Sequence, residues 1–262
     1  MIGIFDSGSG GLSVLREVLK LLPGEKFVYY ADNANCPYGE KTPEFIQSRC
    51  RAITEYLLSR GARIIVVACN TATVVRTPQH NPVRTRSWRC PRNRQTFPPK
   101  TGVIGVLATA GTLKGSKYLT TKGIYEDDVE IVEHVGQGFV ELVENGILDG
   151  PHAEETVRKS LQPLLDAGAD RIVLGCTHYP FLRNVIQRIA GPDVQIIDPA
   201  PAVAKHLIEV MKEEGQLASD DVASTGSVPH PDIELVTSGD NTSAKRILSM
   251  VLEENKVRQG KQ

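Results

Sequence analysis

The feature that most limits what this chain can become is a strand written twice. Arg63-Ile-Ile-Val-Val-Ala-Cys-Asn70 returns as Arg171-Ile-Val-Leu-Gly-Cys-Thr177, about a hundred residues later. Each copy is an apolar, β-branched run of the kind that lies between helices on both faces of a parallel sheet. Each also sets a cysteine, Cys69 or Cys176, at the strand's C-terminal end. Two homologous α/β halves are the simplest account. Because open parallel sheets hold ligands beyond the C-terminal ends of their strands, each half is expected to bring its cysteine and first loop to a cleft between them.

The rest of the chain fits this plan. Met1 to Phe5 reads as a buried strand, Asp6 to Gly11 as a tight loop, and Leu12 to Leu22 as an amphipathic helix stopped by Pro23 and Gly24. Lys26 to Ala31 is a second strand, Asp32 to Gly39 a loop, and Pro43 to Arg60 a helix. The plan restarts with strands at Gly102 to Leu107 and Val129 to Glu133, and again at Asp170 to Gly175. The tail from about Lys205, with its Val236-Thr-Ser-Gly-Asp240 element, is expected to return to the first half. This gives a first domain of residues 1–98 plus 206–262 and a second of residues 99–205.

Composition excludes several classes. There is no apolar run of the roughly 18 residues a membrane span needs, and the first residues lack the basic and small-residue flanks of a secretory signal. The cysteines number five, an odd count with no C-x-x-C pair, which argues for a reducing cytoplasm rather than a disulfide framework. Net charge is −1, yet Arg76, Arg84, Arg86, Arg89, Arg92, Arg94 and Lys100 fall in one stretch without acids, leaving −1 − 7 = −8 elsewhere. That acidic remainder gives no general reason for nucleic-acid binding, and only Trp88 and Phe97 stand in the basic stretch to stack on bases.

A thiol at a strand end that opens a helix meets backbone N–H groups and the positive helix terminus, so Cys69, ahead of Asn70 and Thr71, is expected to have a lowered pKa. A single such cysteine is as readily core filling. The equivalent Cys176, ahead of Thr177 and His178, makes that bland reading of both the weaker one. Two thiols across a cleft suit removal of an amino acid's α-proton on one face and its return on the other, since sulfur serves as base or acid. Metal is not expected, because His178 lies too near Cys176 in sequence and no spaced ligand set accompanies it. The loop Gly8-Ser-Gly-Gly11 lacks the last glycine of a dinucleotide fingerprint, and Asp6 would repel a pyrophosphate. Asp6 and Ser7 instead suit an ammonium group or a thiol, or Asp6 simply turns the loop. Pro37-Tyr-Gly39 is a turn signal.

Four motifs in order, Phe5-Asp-Ser-Gly-Ser-Gly-Gly-Leu12, Tyr30 to Gly39, Val67-Ala-Cys-Asn-Thr-Ala-Thr73 and Leu174-Gly-Cys-Thr-His-Tyr-Pro180, resemble glutamate racemase. The likeness extends through Gly105 to Thr109, Glu141 to Glu144 and Thr237 to Asp240. It implies an α/β fold of two pseudo-symmetric flavodoxin-like (Rossmann-like) domains, with parallel sheets and the active site in the cleft between them. It implies no cofactor: neither metal, pyridoxal phosphate nor nucleotide. L- and D-glutamate would be the partners, with neither nucleic acid nor membrane, and a homodimer is left open. By resemblance Cys69 takes the proton from D-glutamate and Cys176 from L-glutamate, assisted by Asp6, Glu144 and His178. Ser7, Pro37, Tyr38, Gly39, Asn70, Thr71 and Thr177 match positions that bind the substrate's amino and carboxylate groups. The product would enter peptidoglycan synthesis. Aspartate racemases share the two-cysteine logic but usually carry an acid where His178 stands, which favours glutamate.

Residues 75 to 100 depart from the resemblance. They hold five prolines and no apolar periodicity, where the family has a helix, a strand and a substrate-side loop. The abrupt edges read as translation in another frame, and loss of a helix and strand beside Cys69 makes a non-catalytic remnant the competing reading.

Overall fold

The computed structural model describes residues 1–75, 100–217 and 231–259. The reading of residues 75–100 as an extended, proline-broken stretch therefore falls, but for its two ends, outside the described residues.

The first half runs β1 (Ile2–Asp6), α1 (Leu12–Leu21), β2 (Lys26–Ala31), α2 (Pro43–Ser59), β3 (Ile64–Val67) and α3 (Asn70–Val74). The second runs β4 (Val103–Ala108), α4 (Ala110–Leu113), α5 (Ser116–Lys122), β5 (Glu130–Val135), α6 (Phe139–Asn145), α7 (Pro151–Asp166), β6 (Arg171–Gly175), α8 (Arg183–Ala190) and β7 (Gln195–Ile197). Then follow α9 (Ala200–Glu213), β8 (Asp232–Thr237) and α10 (Thr242–Gln259).

Two four-stranded sheets result, ordered β3-β1-β2-β8 and β5-β4-β6-β7, with every pairing parallel. In each, the first strand of the half is flanked by its second and third, as in flavodoxin-like sheets. The repeated sequence thus occupies equivalent places, β3 beside β1 and β6 beside β4. Among the described residues β3 is paired on one side only, whereas β6 is also flanked by β7.

The period of two along the strands explains their burial. In β1, Ile2 and Ile4 join the large core shared with α1, while Phe5 faces α2 with Val28, Ile53 and Leu57. In β3 the same alternation puts Ile64 and Val66 on the α1 side and carries Cys69, just past the strand, to the α2 side. In β6, Ile172 and Leu174 face the large core, and Cys176 follows in phase. The tail supplies β8, which pairs with β2 from Lys26↔Asp232 to Ala31↔Thr237. Helices α9 and α10 both pack on α1, and α10 also reaches α6.

Candidate active site

The C-terminal ends of β1, β3, β4 and β6 open on one cleft. Its wall from the first half is made by Ser7, Pro37, Tyr38, Gly39, Cys69, Asn70 and Thr71, and from the second by Thr109, Thr112, Val140, Gly175, Cys176, Thr177 and His178. Asp6 and Glu144 stand behind this wall, each hydrogen-bonded to a residue that lines it. The cleft is tight, with a water-accessible volume of about 10 Å³, the room of a single water molecule.

Asp6 ends β1 and is fully buried. The Gly8 amide donates to its Oδ1 at 3.0 Å and Thr177 Oγ1 to its Oδ2 at 3.0 Å, so it both turns its loop and crosses to the second half. Burial raises its pKa, against the lowering pull of His178, Gly8 and Thr177. Ser7, the next residue, accepts from Cys69 Sγ at 3.7 Å.

Cys69 caps the start of α3, as its sequence position suggested, but the electrostatic outcome is the reverse of the expected one. Burial, reinforced by the negative charge of Asp6, pushes the Cys69 thiol well up. The Ala72 amide and the Ser7 hydroxyl lower it too little to compensate. A five-residue helix supplies a weak dipole, and the cost of burying a thiolate without a countercharge is the larger effect.

Cys176 sits in a different field. Its Sγ lies 3.8 Å from His178 Nδ1, and His178 Nε2 lies 2.8 Å from Glu144 Oε1. The same Oε1 accepts from Ser9 N and Ser9 Oγ, both at 2.8 Å. Burial pushes Glu144 up, yet the hydrogen bond and charge of His178, with help from Ser243 and Ser9, bring its pKa down to about 2. Burial works against the His178 cation too, and contacts with Cys176, Cys36 and Glu144 outweigh it, leaving the imidazole pKa well above its ordinary value. Both shifts favour the charged forms of His178 and Glu144, each stabilised by the other. Helix α10 braces the pair: Arg246 Nη2 donates to Glu144 O at 2.7 Å, and Ser243 Oγ lies 3.0 Å from Ser9 Oγ.

The remaining residues are fixed by bonds across the cleft or behind it. Asn70 Nδ2 donates to Gly175 O at 2.7 Å, tying the start of α3 to the end of β6. Thr71 Oγ1 lies 3.0 Å from Thr109 Oγ1 and 3.3 Å from Thr112 Oγ1. Ser13 Oγ donates to Thr177 O at 2.8 Å. Pro37 follows a cis peptide bond. Tyr38 is buried and donates its hydroxyl to Asp32 Oδ2 at 2.5 Å. Gly39 approaches Thr109 so closely that a Cβ on it would lie 3.1 Å from Thr109 Cβ.

Thr112, Val140 and Gly175 line the cleft although the sequence does not mark them as site residues, and Thr109 enters the sequence reading only as the end of a matching motif. Thr109 stands at the end of β4, where the plan of the fold puts functional loops, so its position was readable. No sequence signal marks Val140.

A curated glutamate racemase from Stutzerimonas stutzeri is 39% identical over 263 residues, covering 98% of this chain and 95% of that protein. The chain belongs to the glutamate racemase family. Glutamate racemases are isomerases, and the sequence model of the wider Asp/Glu/Hydantoin racemase family matches residues 96–207. Among solved structures, a glutamate racemase from Bacillus anthracis superposes with a TM-score of 0.78 at 29% identity, covering 97% of this chain and 94% of that one. The Escherichia coli glutamate racemase, solved with L-glutamate and the activator UDP-MurNAc-Ala, gives 0.73 at 26% identity, covering 97% and 94%. Glutamate racemase is therefore favoured over the aspartate and remnant readings. Among the described residues no helix is long and apolar enough to cross a membrane.

Proposed function

We propose that the chain interconverts L- and D-glutamate without a cofactor, by proton transfer at the α-carbon between Cys69 and Cys176. The observation that carries this reading is that both cysteines, at the ends of equivalent strands in different sheets, line one cleft. A thiolate on one wall takes the α-proton and becomes a thiol, while the thiol on the other wall gives its proton to the opposite face. The carbon is inverted and the number of protons on the pair is unchanged.

In this reading the two sulfurs are held differently for the same task. Cys69 is kept protonated by burial and by Asp6, so it is poised as an acid until the substrate's ammonium group brings a positive charge to the cleft. Cys176 is served by the His178 and Glu144 pair. Ser7, Asn70, Thr71 and Thr177 offer donors and acceptors for the substrate's amino and carboxylate groups, and Pro37, Tyr38 and Gly39 form the wall over them. A cleft with room for one water admits glutamate only when the halves part. Residues 1–98 with 206–262 and residues 99–205 are the two bodies we assign to that movement, on the membership of β1, β2, β3 and β8 in one sheet and β4 to β7 in the other. The role that follows is supply of D-glutamate to peptidoglycan synthesis in the cytoplasm.

The test is exchange of the α-proton in heavy water, started separately from each enantiomer. Cys69→Ser is expected to lose exchange from D-glutamate and Cys176→Ser exchange from L-glutamate. Exchange that survives both substitutions ends the two-cysteine reading. Thermal stabilisation by glutamate with no exchange in the unaltered chain would instead mark a binding remnant.

A further inference from the structure

A third sulfur meets the His178 and Glu144 pair away from Cys176. Cys36, from the loop after β2, offers Sγ within 4.8 Å of a ligand atom of Glu144 and of His178, and those two lie within the same distance of each other. The donors converge over a residue without a side chain. A Cβ on Gly8 would stand 2.5 Å from Glu144 Oε1, 2.9 Å from Cys36 Sγ and 3.4 Å from His178 Nε2. Glycine there leaves the space between three ligating atoms open, and the proton transfer described above makes no use of Cys36.

We propose that Cys36, Glu144 and His178 form a binding site for a thiophilic divalent cation, best matched by zinc, and that its occupation shuts down the second half of the active site. Thiolate, imidazole and carboxylate are the donors zinc takes, with solvent completing a tetrahedron. Bonds of about 2.0–2.3 Å set such donors on the order of 3.5 Å apart, so Cys36 Sγ has to close by at most about 1 Å while the 2.8 Å pair of His178 Nε2 and Glu144 Oε1 opens by about 0.7 Å. On binding, the Cys36 thiol proton and the His178 Nε2 proton leave to solvent, and the metal takes their places. The ion between them ends the 2.8 Å contact of His178 with Glu144 and pins the imidazole that faces Cys176. The binding stands apart from the proposed reaction, while the loss of activity rests on it.

Cobalt(II) is the probe for binding, read by its thiolate charge-transfer absorption, and zinc is the probe for activity. The unaltered chain is expected to show the band at one equivalent of cobalt. Cys69→Ser and Cys176→Ser are expected to keep it. Cys36→Ser, and separately His178→Asn, are expected to weaken cobalt binding at least about tenfold, and Cys36→Ser to raise the zinc needed for half inhibition by a similar factor. No band in the unaltered chain, or a band that survives Cys36→Ser and disappears in Cys69→Ser or Cys176→Ser, overturns the proposal, because the metal would then sit elsewhere or on the catalytic thiols. A chain that binds cobalt through Cys36 but does not racemise glutamate supports the site and removes the proposed reaction.

Discussion

Thr177 Oγ1 donates to Asp6 Oδ2 at 3.0 Å, fastening the residue after the second cysteine to the acid that ends the first strand. The carboxyl is fully buried, and its other strong donor is the Gly8 amide at 3.0 Å. Thr177→Val preserves shape and deletes the donor, so a buried acceptor is left short of a partner at a cost of about 1–3 kcal/mol. A lower urea midpoint and a reduced kcat for both enantiomers are expected. Unchanged stability would mean that the bond is not maintained in solution.

The ion pair behind Cys176 predicts a particular acid limb. Glu144 is held at about 2 against an ordinary 4.5, so its contribution is fully present above about pH 4.5 and fades as pH falls toward 2. A shift of about 2.5 units corresponds to on the order of 3 kcal/mol. His178 has the opposite sign: its raised pKa gives a contribution complete below its ordinary value and lost only as pH rises through the elevated one. Denaturant unfolding of Glu144→Gln is expected to lose this part of the pH dependence between about 2 and 4.5, on the order of 3 kcal/mol, while the part due to Asp32 remains. A curve parallel to that of the unaltered chain would reject this account of the pair.

The limits of the sequence follow from the same residues. Alternating burial and a repeated apolar run are local patterns, so the strands carrying Cys69 and Cys176 and the parallel sheets around them were legible. Strand β2 occupies the span its composition indicates, Lys26–Ala31. The field at Cys69 was not legible, because spacing shows a helix start but not how deeply the thiol is buried or that Asp6 stands near it. Glu144 was identified only by resemblance. Its pairing with His178 joins positions 34 residues apart, and its support from Ser9 spans 135 residues. Contacts of that kind are products of packing. The clustering of Cys36 with this pair is of the same origin.

Glycine 10 tests how closely the imidazole is packed. A Cβ there would lie 2.6 Å from His178 Cε1 and 2.7 Å from its Cγ, so Gly10→Ala has to displace the ring from Cys176. Overpacking of this sort costs about 1–3 kcal/mol. Exchange of the α-proton of L-glutamate should fall by about tenfold or more, the rate equivalent of about 1.4 kcal/mol. Gly123→Ala makes the same chemical change where nothing lies closer than 3.5 Å, and stability and rate should both stay near those of the unaltered chain. Equal effects from the two substitutions would show that His178 has room to move.

The loop that carries Pro37, Tyr38 and Gly39 hangs on Asp32. This carboxylate is fully buried and accepts two bonds from Arg49, Nε at 2.9 Å and Nη2 at 2.7 Å, besides those from Tyr38 and Asn35. Burial alone would raise its pKa, but Arg49 and the hydroxyl of Tyr38 overcome that and lower it. Arg49→Lys keeps the charge and loses the planar fork, so one carboxylate oxygen is left with weaker support and the loop loosens without any change at either thiol. KM for glutamate should rise several-fold at a nearly constant kcat, with a stability loss of about 1 kcal/mol. Asp32→Asn removes the charge and should do both more strongly. A fall in kcat at constant KM would place the consequence of this bracket at the sulfurs rather than at the wall that holds the substrate.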